Sequence, residues 1–462
     1  MTDLVANLVA RARVAQRAFE ASASQELYRL AAKAAAWAII QPERNAALAE
    51  LAVATTGLGN TADKIAKNHR KTLGLVRDLM AASTHGVIRD DAATGITEIA
   101  RPIGVVGAVV PSTNPGATPA NNIINALACG NAIILAPSPK GADVCALLLQ
   151  HVHSELAKLG LPADLVQMIP APVDKAKTQA LMKAVDLIIV TGSQDNVRRA
   201  YHSGTPALGV GAGNATIIID ETADLPAAAA KIAQSKCFDN ATSCSSENVL
   251  IIVDAIRPAF LAALEAAGGM LLDAEQGKAV KSALFAGGKM NRAMIAKDLP
   301  AFLAAAGLEA APGAKFALME GEGIGPDFPE SGEKLSLLLT HYRAADFAHA
   351  ASLAEQVLRN QGAGHSVGLH SADDARARHL ADHLPVCRVI TNQAHAIATG
   401  GAFNNGMKFS LSMGCGSWGG NAIDDNLHHR HFVNVTKIVR PIPEHIPSLE
   451  DVFQDYWDRV GQ

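Results

Sequence analysis

From residue 25 the chain sets apolar residues at helical spacing, in QELYRLAAKAAAWAII and again in ERNAALAELAVATTG, until Gly57 and Gly59 supply a stop. Residues 1–80 therefore read as helices. From about 97 the period changes. ITEIARPIGVVGAVVPSTNPG opens with strand-like alternation and runs into a compact apolar stretch, Val105 to Val110, closed by Pro111. TPANNIINALACG returns to the helical period and ends at Gly130, and NAIILAP is a short buried strand. SPKGADVCALLLQHVHSELAKLGLP predicts a long amphipathic helix with Ser138 as N-cap and Pro139 as its first residue. LVQMI, DLIIV and ATIIID read as further strands joined by helical connections. This alternation predicts an α/β fold with a doubly wound parallel sheet.

After Asn214 a second α/β stretch follows. SENVLIIVD, SLLLTHY, SVGLH and CRVITN read as strands, ADFAHAASLAEQVLR as a helix, and residues 400–420 as a Gly-rich segment. The tail HFVNVTKIVRPI alternates apolar and polar positions like an exposed edge strand, which a partner subunit would cover.

The length of 462 residues fits two to three domains and a large core. A net charge of -4, spread without acidic or basic blocks, gives no footprint for nucleic acid or an anionic membrane, so a small-molecule substrate is expected. No apolar run approaches the roughly 18 to 20 residues of a spanning helix. The N-terminus mixes Asp3 with Arg11, Arg13 and Arg17 and lacks the apolar core of a secretory signal, which makes a cytoplasmic enzyme the default. Six cysteines without a CxxC pair argue against a disulfide framework and a thiolate zinc site. Cys129 and Cys145 lie on helix faces and read as core.

Some motifs mislead. GCGSWG (414–419) matches GxGxxG, but no helix and second strand follow it; GVGAGN (209–214) lacks the final glycine. HHRH (428–431) sets neighbouring rings in different directions, so a solvated or interface cluster is expected and no metal site. His365 in GAGHSVGLH is flanked by glycines that suggest close backbone approach, although an ordinary satisfied histidine fits equally. FDNATSCSSEN (238–248) places Cys244 in a polar loop before an apolar strand. It is either a reactive thiol, which needs partial exposure and surroundings that favour thiolate, or a structural loop cysteine. A nucleophile attacking a carbonyl would also need oxyanion donors, its own N–H and an amide from another loop.

FDNATSCSSEN, VVPSTNPGATPA, GVGAGNATIIIDETAD, EKLSLLL, GAGHS and GCGSWGGN occur in the order found in the aldehyde dehydrogenase superfamily, and they resemble its CoA-acylating branch. The resemblance spans the chain to about residue 440 and implies a Rossmann-type cofactor domain (1–84 and 104–212), an α/β catalytic domain (213–425) and a small β oligomerisation arm (85–103 and 426–445). A homodimer or homotetramer is implied. Cys244 matches the catalytic cysteine and Asn114 the amide of the oxyanion hole. Thr191, Gly192 and Ser193 match the turn at the cofactor pyrophosphate, Glu333 the glutamate on the nicotinamide ribose, and Pro111, Ser112 and Gly211 further cofactor-binding positions. His365 falls where acylating relatives also carry a histidine, to orient CoA or move a proton.

One departure carries functional information. Hydrolytic relatives place a water-activating glutamate where this chain has Val210. Valine accepts no proton, so water loses its general base, a contribution of about 10² to 10⁴ in rate, whereas CoA brings an acidic thiol of its own. The resemblance thus implies aldehyde, CoA and NAD(P)+ going to acyl-CoA and NAD(P)H. Ser138 and Lys140, with no carboxylate beside them, favour NADP over NAD. Sulfoacetaldehyde is the expected aldehyde, with succinate semialdehyde and acetaldehyde as alternatives. Lys408 is either its anion contact or a solvated loop lysine. A hydrolytic enzyme using another base, or an inactive oligomeric scaffold, are the competing readings.

Overall fold

The structure is a computed structural model that describes residues 2–461. Val105–Val110 and Ala132–Pro137 are buried at every position, as strands covered on both faces must be. They form the centre of a five-stranded parallel sheet in the order 166–168, 132–137, 105–110, 187–190, 207–209. The helices Gln25–Ile40, Ala117–Ala128 and Ala142–Ala157 pack together beside it, and Thr2–Ala21 meets Lys175–Ala184. The chain leaves strand 105–110 towards one edge and returns on its other side at 187–190. That reversal opens a crevice beyond the carboxyl ends of the two strands, where Pro111 and Thr191 begin.

A seven-stranded parallel sheet follows, in the order 269–271, 316–320, 338–344, 247–253, 215–219, 367–370, 389–391. Its amino-terminal edge bears Gly213, Cys244 and His365, each a few residues before a strand. The third sheet is antiparallel and pairs Ile96–Pro102 with Gly86–Asp91 and with Val433–Val439. Val435, Ile438 and Val439 are exposed on that last strand.

Several elements depart from the sequence reading. Ser138 does begin a helical turn, but it is a short 3₁₀ segment without a side-chain cap, and the α-helix starts at Ala142. Pro139 favours the turn while Gly141 interrupts it. Strands 269–271 and 316–320 and the terminal helix Leu449–Val460 were not anticipated. The helix had a signal, since Ser448 and Asp451 form a capping box.

His428 and His431 cap each other's turn and their rings meet edge to face, and no cluster of three or more metal-ligating side chains occurs among the described residues. No described helix is long and apolar enough to cross a membrane. Cys129 and Cys145 are buried, as their helix faces predicted.

Candidate active site

A cleft of about 1000 Å³ lies between the carboxyl ends of the five-stranded sheet and the amino ends of the seven-stranded one. Pro111, Ser112 and Asn114 line it from the loop after strand 105–110, and Ser138 from the end of strand 132–137. Thr191, Gly192 and Ser193 follow strand 187–190, and Gly211, Cys244 and Glu333 face them. Two expected residues stand outside the lining. Lys140 is exposed one turn beyond Ser138, and His365 is buried behind the sulfur.

Three glycine-bearing motifs that are far apart in sequence hold the cysteine loop. A Cβ at Gly213 would lie 2.0 Å from the carbonyl oxygen of Cys244. Gly364 has a φ of +83°, and a Cβ there would meet the Cys415 carbonyl oxygen at 1.8 Å. GCGSWG is thus a packing motif behind the site: its Cys415 also sits against Gly211.

Cys244 is half-buried, with its Sγ 3.4 Å from His365 Nε2. His365 Nδ1 pairs with Ser366 Oγ at 2.7 Å, and the guanidinium of Arg388 donates to the His365 carbonyl at 3.1 Å. Burial first, then Arg388 and His395, pull the imidazole down to about 3, so it is neutral at ordinary pH. With its proton on Nδ1 towards Ser366, Nε2 is free to accept from the thiol. The thiol itself departs from expectation. Desolvation, then Glu333 and Cys415, push it up to about 12, so the resting cleft stores a thiol and not a thiolate. His365 Nε2 is thus an acceptor that holds the thiol in place, while its low pKa makes it a weak base. Alkylation of Cys244 by iodoacetamide should accelerate from pH 7 through pH 9 without levelling off. A plateau reached below pH 7 would reveal a preformed thiolate–imidazolium pair instead.

Lys67, which the sequence reading overlooked, orients Asn114. Its ammonium donates to Asn114 Oδ1 at 2.8 Å, which turns the amide nitrogen away as the group left to donate. Lys67 also donates to Thr242 Oγ1 at 2.9 Å and to Asp239, which Lys64 shares at 3.1 Å. Burial raises Glu333 to about 8, so it keeps its proton at neutral pH and offers the cleft a hydrogen-bond donor. Val210 also lines the cleft, only 8% exposed. The cleft therefore has an apolar wall at Val210 and a protonated acid at Glu333.

The sequence profile of the "Aldehyde dehydrogenase family" matches residues 2–293. The chain is 57% identical over 462 residues to the acylating sulfoacetaldehyde dehydrogenase of Cupriavidus necator, covering 100% of this chain and 94% of that protein. The chain belongs to the aldehyde dehydrogenase family. This aldehyde dehydrogenase is also 35% identical over 452 residues to the acetylating succinate-semialdehyde dehydrogenase of Clostridium kluyveri, covering 97% of this chain and 98% of that one. An acetylating aldehyde dehydrogenase from Geobacillus thermoglucosidasius superposes with a TM-score of 0.92 at 32% identity, covering 97% and 98% of the two chains. The fold expected from the sequence, an α/β aldehyde dehydrogenase, is the fold observed.

Proposed function

We propose that this acylating aldehyde dehydrogenase acts on sulfoacetaldehyde, converting it with CoA and NAD(P)+ into sulfoacetyl-CoA and NAD(P)H. Full-length similarity to the Cupriavidus necator enzyme supports the aldehyde. The observation that carries the acceptor is Val210 in the wall of the cleft that holds Cys244.

The cleft fits a nicotinamide nucleotide. Ser138 Oγ is buried without a partner among the described residues and lies where a ribose would sit. The Thr191–Gly192–Ser193 turn opens the helix Gln194–Tyr201, whose N-terminus suits a pyrophosphate. Glu333 would hold the second ribose, and Pro111, Ser112 and Gly211 would complete the wall. Ser138 ends its strand without a carboxylate, which admits NADP; Lys140, held outside the cleft, gives that preference no further support. When bound, the nucleotide supplies the hydride acceptor.

The residues of the chain do the rest. Cys244 Sγ, its thiol oriented by His365 Nε2, forms a bond to the aldehyde carbon as the thiol proton passes to solvent. The oxyanion is met by the Asn114 amide and the Cys244 N–H. After oxidation the acyl group is a thioester on Cys244, and the CoA thiol, having given its proton to solvent, attacks that carbonyl and expels the Cys244 thiolate, which takes up a proton again. Val210 withholds the base that water would require.

The five-stranded and seven-stranded sheets serve as cofactor and catalytic domains in this reading. The three-stranded sheet, with exposed Val435, Ile438 and Val439 on its edge, serves as an oligomerisation arm. NADH or NADPH formation from sulfoacetaldehyde should depend on CoA. An equal rate without CoA would refute acyl transfer to CoA, and a marked preference for another aldehyde in a panel would refute the substrate.

A further inference from the structure

The helix Thr61–Met80 turns a row of cations towards the substrate end of the cleft, and its two halves are neutralised differently. Lys64 and Lys67 share Asp239. Arg70 and Lys71 have no carboxylate within ion-pair distance among the described residues. The Arg70 guanidinium donates to the carbonyl oxygens of Ile397 and Gly401, each at 3.3 Å, and the Lys71 ammonium to that of Gly400. Both side chains line the cleft, and Lys71 is 5% exposed.

Burying a cation against neutral carbonyls alone is costly, and an anion from outside relieves the cost. Desolvation, followed by the charges of Arg70 and Lys67, draws Lys71 well below the usual lysine range, and Lys71 and Cys244 line the same cleft. This end is walled by the helix and by Gly400, Ser410 and Met413. An anion here would share the cleft with the sulfur. In sulfoacetaldehyde one carbon separates the sulfonate from the aldehyde carbon, so a sulfonate site must be that close. Lys408, the contact weighed from sequence, is exposed and outside the lining.

We infer that Arg70 and Lys71 form an anion subsite that holds the head group of the aldehyde while its carbonyl carbon meets Cys244. The head group is a sulfonate if the substrate proposed above is correct, and the inference rests on that reading only for the identity of the anion. Two donors from different directions suit a three-oxygen anion.

The test compares kcat/KM for sulfoacetaldehyde with that for propionaldehyde, a neutral aldehyde of similar size, with CoA and nucleotide saturating. Arg70→Met and Lys71→Met should each reduce the ratio about 100-fold, as loss of one member of a buried charge pair does, and Lys71→Arg should keep most of it. A ratio that stays constant, including through an equal loss on both aldehydes, overturns the subsite. A second measurement needs no variant: ethanesulfonate should inhibit the wild-type enzyme competitively against the aldehyde, and absence of inhibition also overturns it. If the wild type prefers succinate semialdehyde and both Met variants erase that preference, the subsite stands and the sulfonate reading falls. If sulfoacetaldehyde is turned over well and the variants keep their selectivity, the reverse holds.

Discussion

Cys244→Ala is expected to lower kcat by about 10⁴-fold or more, the scale on which removal of a catalytic nucleophile acts. Among the described residues no second cysteine lines the cleft. Cys415 is fully buried behind Gly211, and Cys237 ends the helix that precedes the cysteine loop and stays outside the cleft lining. Alanine leaves the loop backbone free to keep its fit against Gly213, so Asn114, Glu333 and the turn at 191–193 remain in place. Intact-mass measurement after incubation with acyl-CoA should therefore show one acyl adduct on the wild type and none on the variant, while NADPH titration gives similar affinities. An adduct that survives the substitution would move the nucleophile elsewhere.

The two parallel sheets could be read from the sequence because continuous branched-aliphatic runs have one simple fate, burial on both faces. The cysteine loop was readable too, since a thiol among hydroxyls and amides before such a run has little packing to do. The helix Thr61–Met80 was readable only as a helix. Lys64, Lys67 and Lys71 at spacings of three and four look like a solvated face by pattern, yet all three are buried, because Asp239 and the cleft supply what water would. The signal available was a charged stripe that also holds Asn68 and Thr72, both buried. The resting state of the thiol was hidden for a similar reason: its pKa is raised by burial first and then by Glu333 and Cys415, all of which only the tertiary fold supplies. The orientation of Asn114 likewise depends on Lys67, which lies in another element.

Asp239→Asn should destabilise the protein by about 3–5 kcal/mol, the typical cost of stranding a buried charge, and should slow catalysis as well. Asp239 is fully buried and accepts from Lys64 and Lys67, each with only 5% of its side chain exposed. Its own N–H donates to Asp63 at 2.8 Å. The backbone at Asp239, Asn240 and Ala241 is left-handed, with φ of 50°, 51° and 60°, a conformation that non-glycine residues hold only where their surroundings compel it. The ion cluster is that compulsion, and Cys244 follows three residues later. Asparagine preserves the shape but removes the charge, so two ammonium groups face one amide and Lys67 has less reason to stay on Asn114 Oδ1. The urea-unfolding midpoint should fall, and kcat should fall with it as the oxyanion donor loses its alignment. Adding Lys64→Met should recover part of the stability, because one of the stranded charges is then gone. If Asp239→Asn unfolds at the wild-type midpoint, the cluster does not hold the loop, and the link from Asp239 through Lys67 to the oxyanion hole is broken.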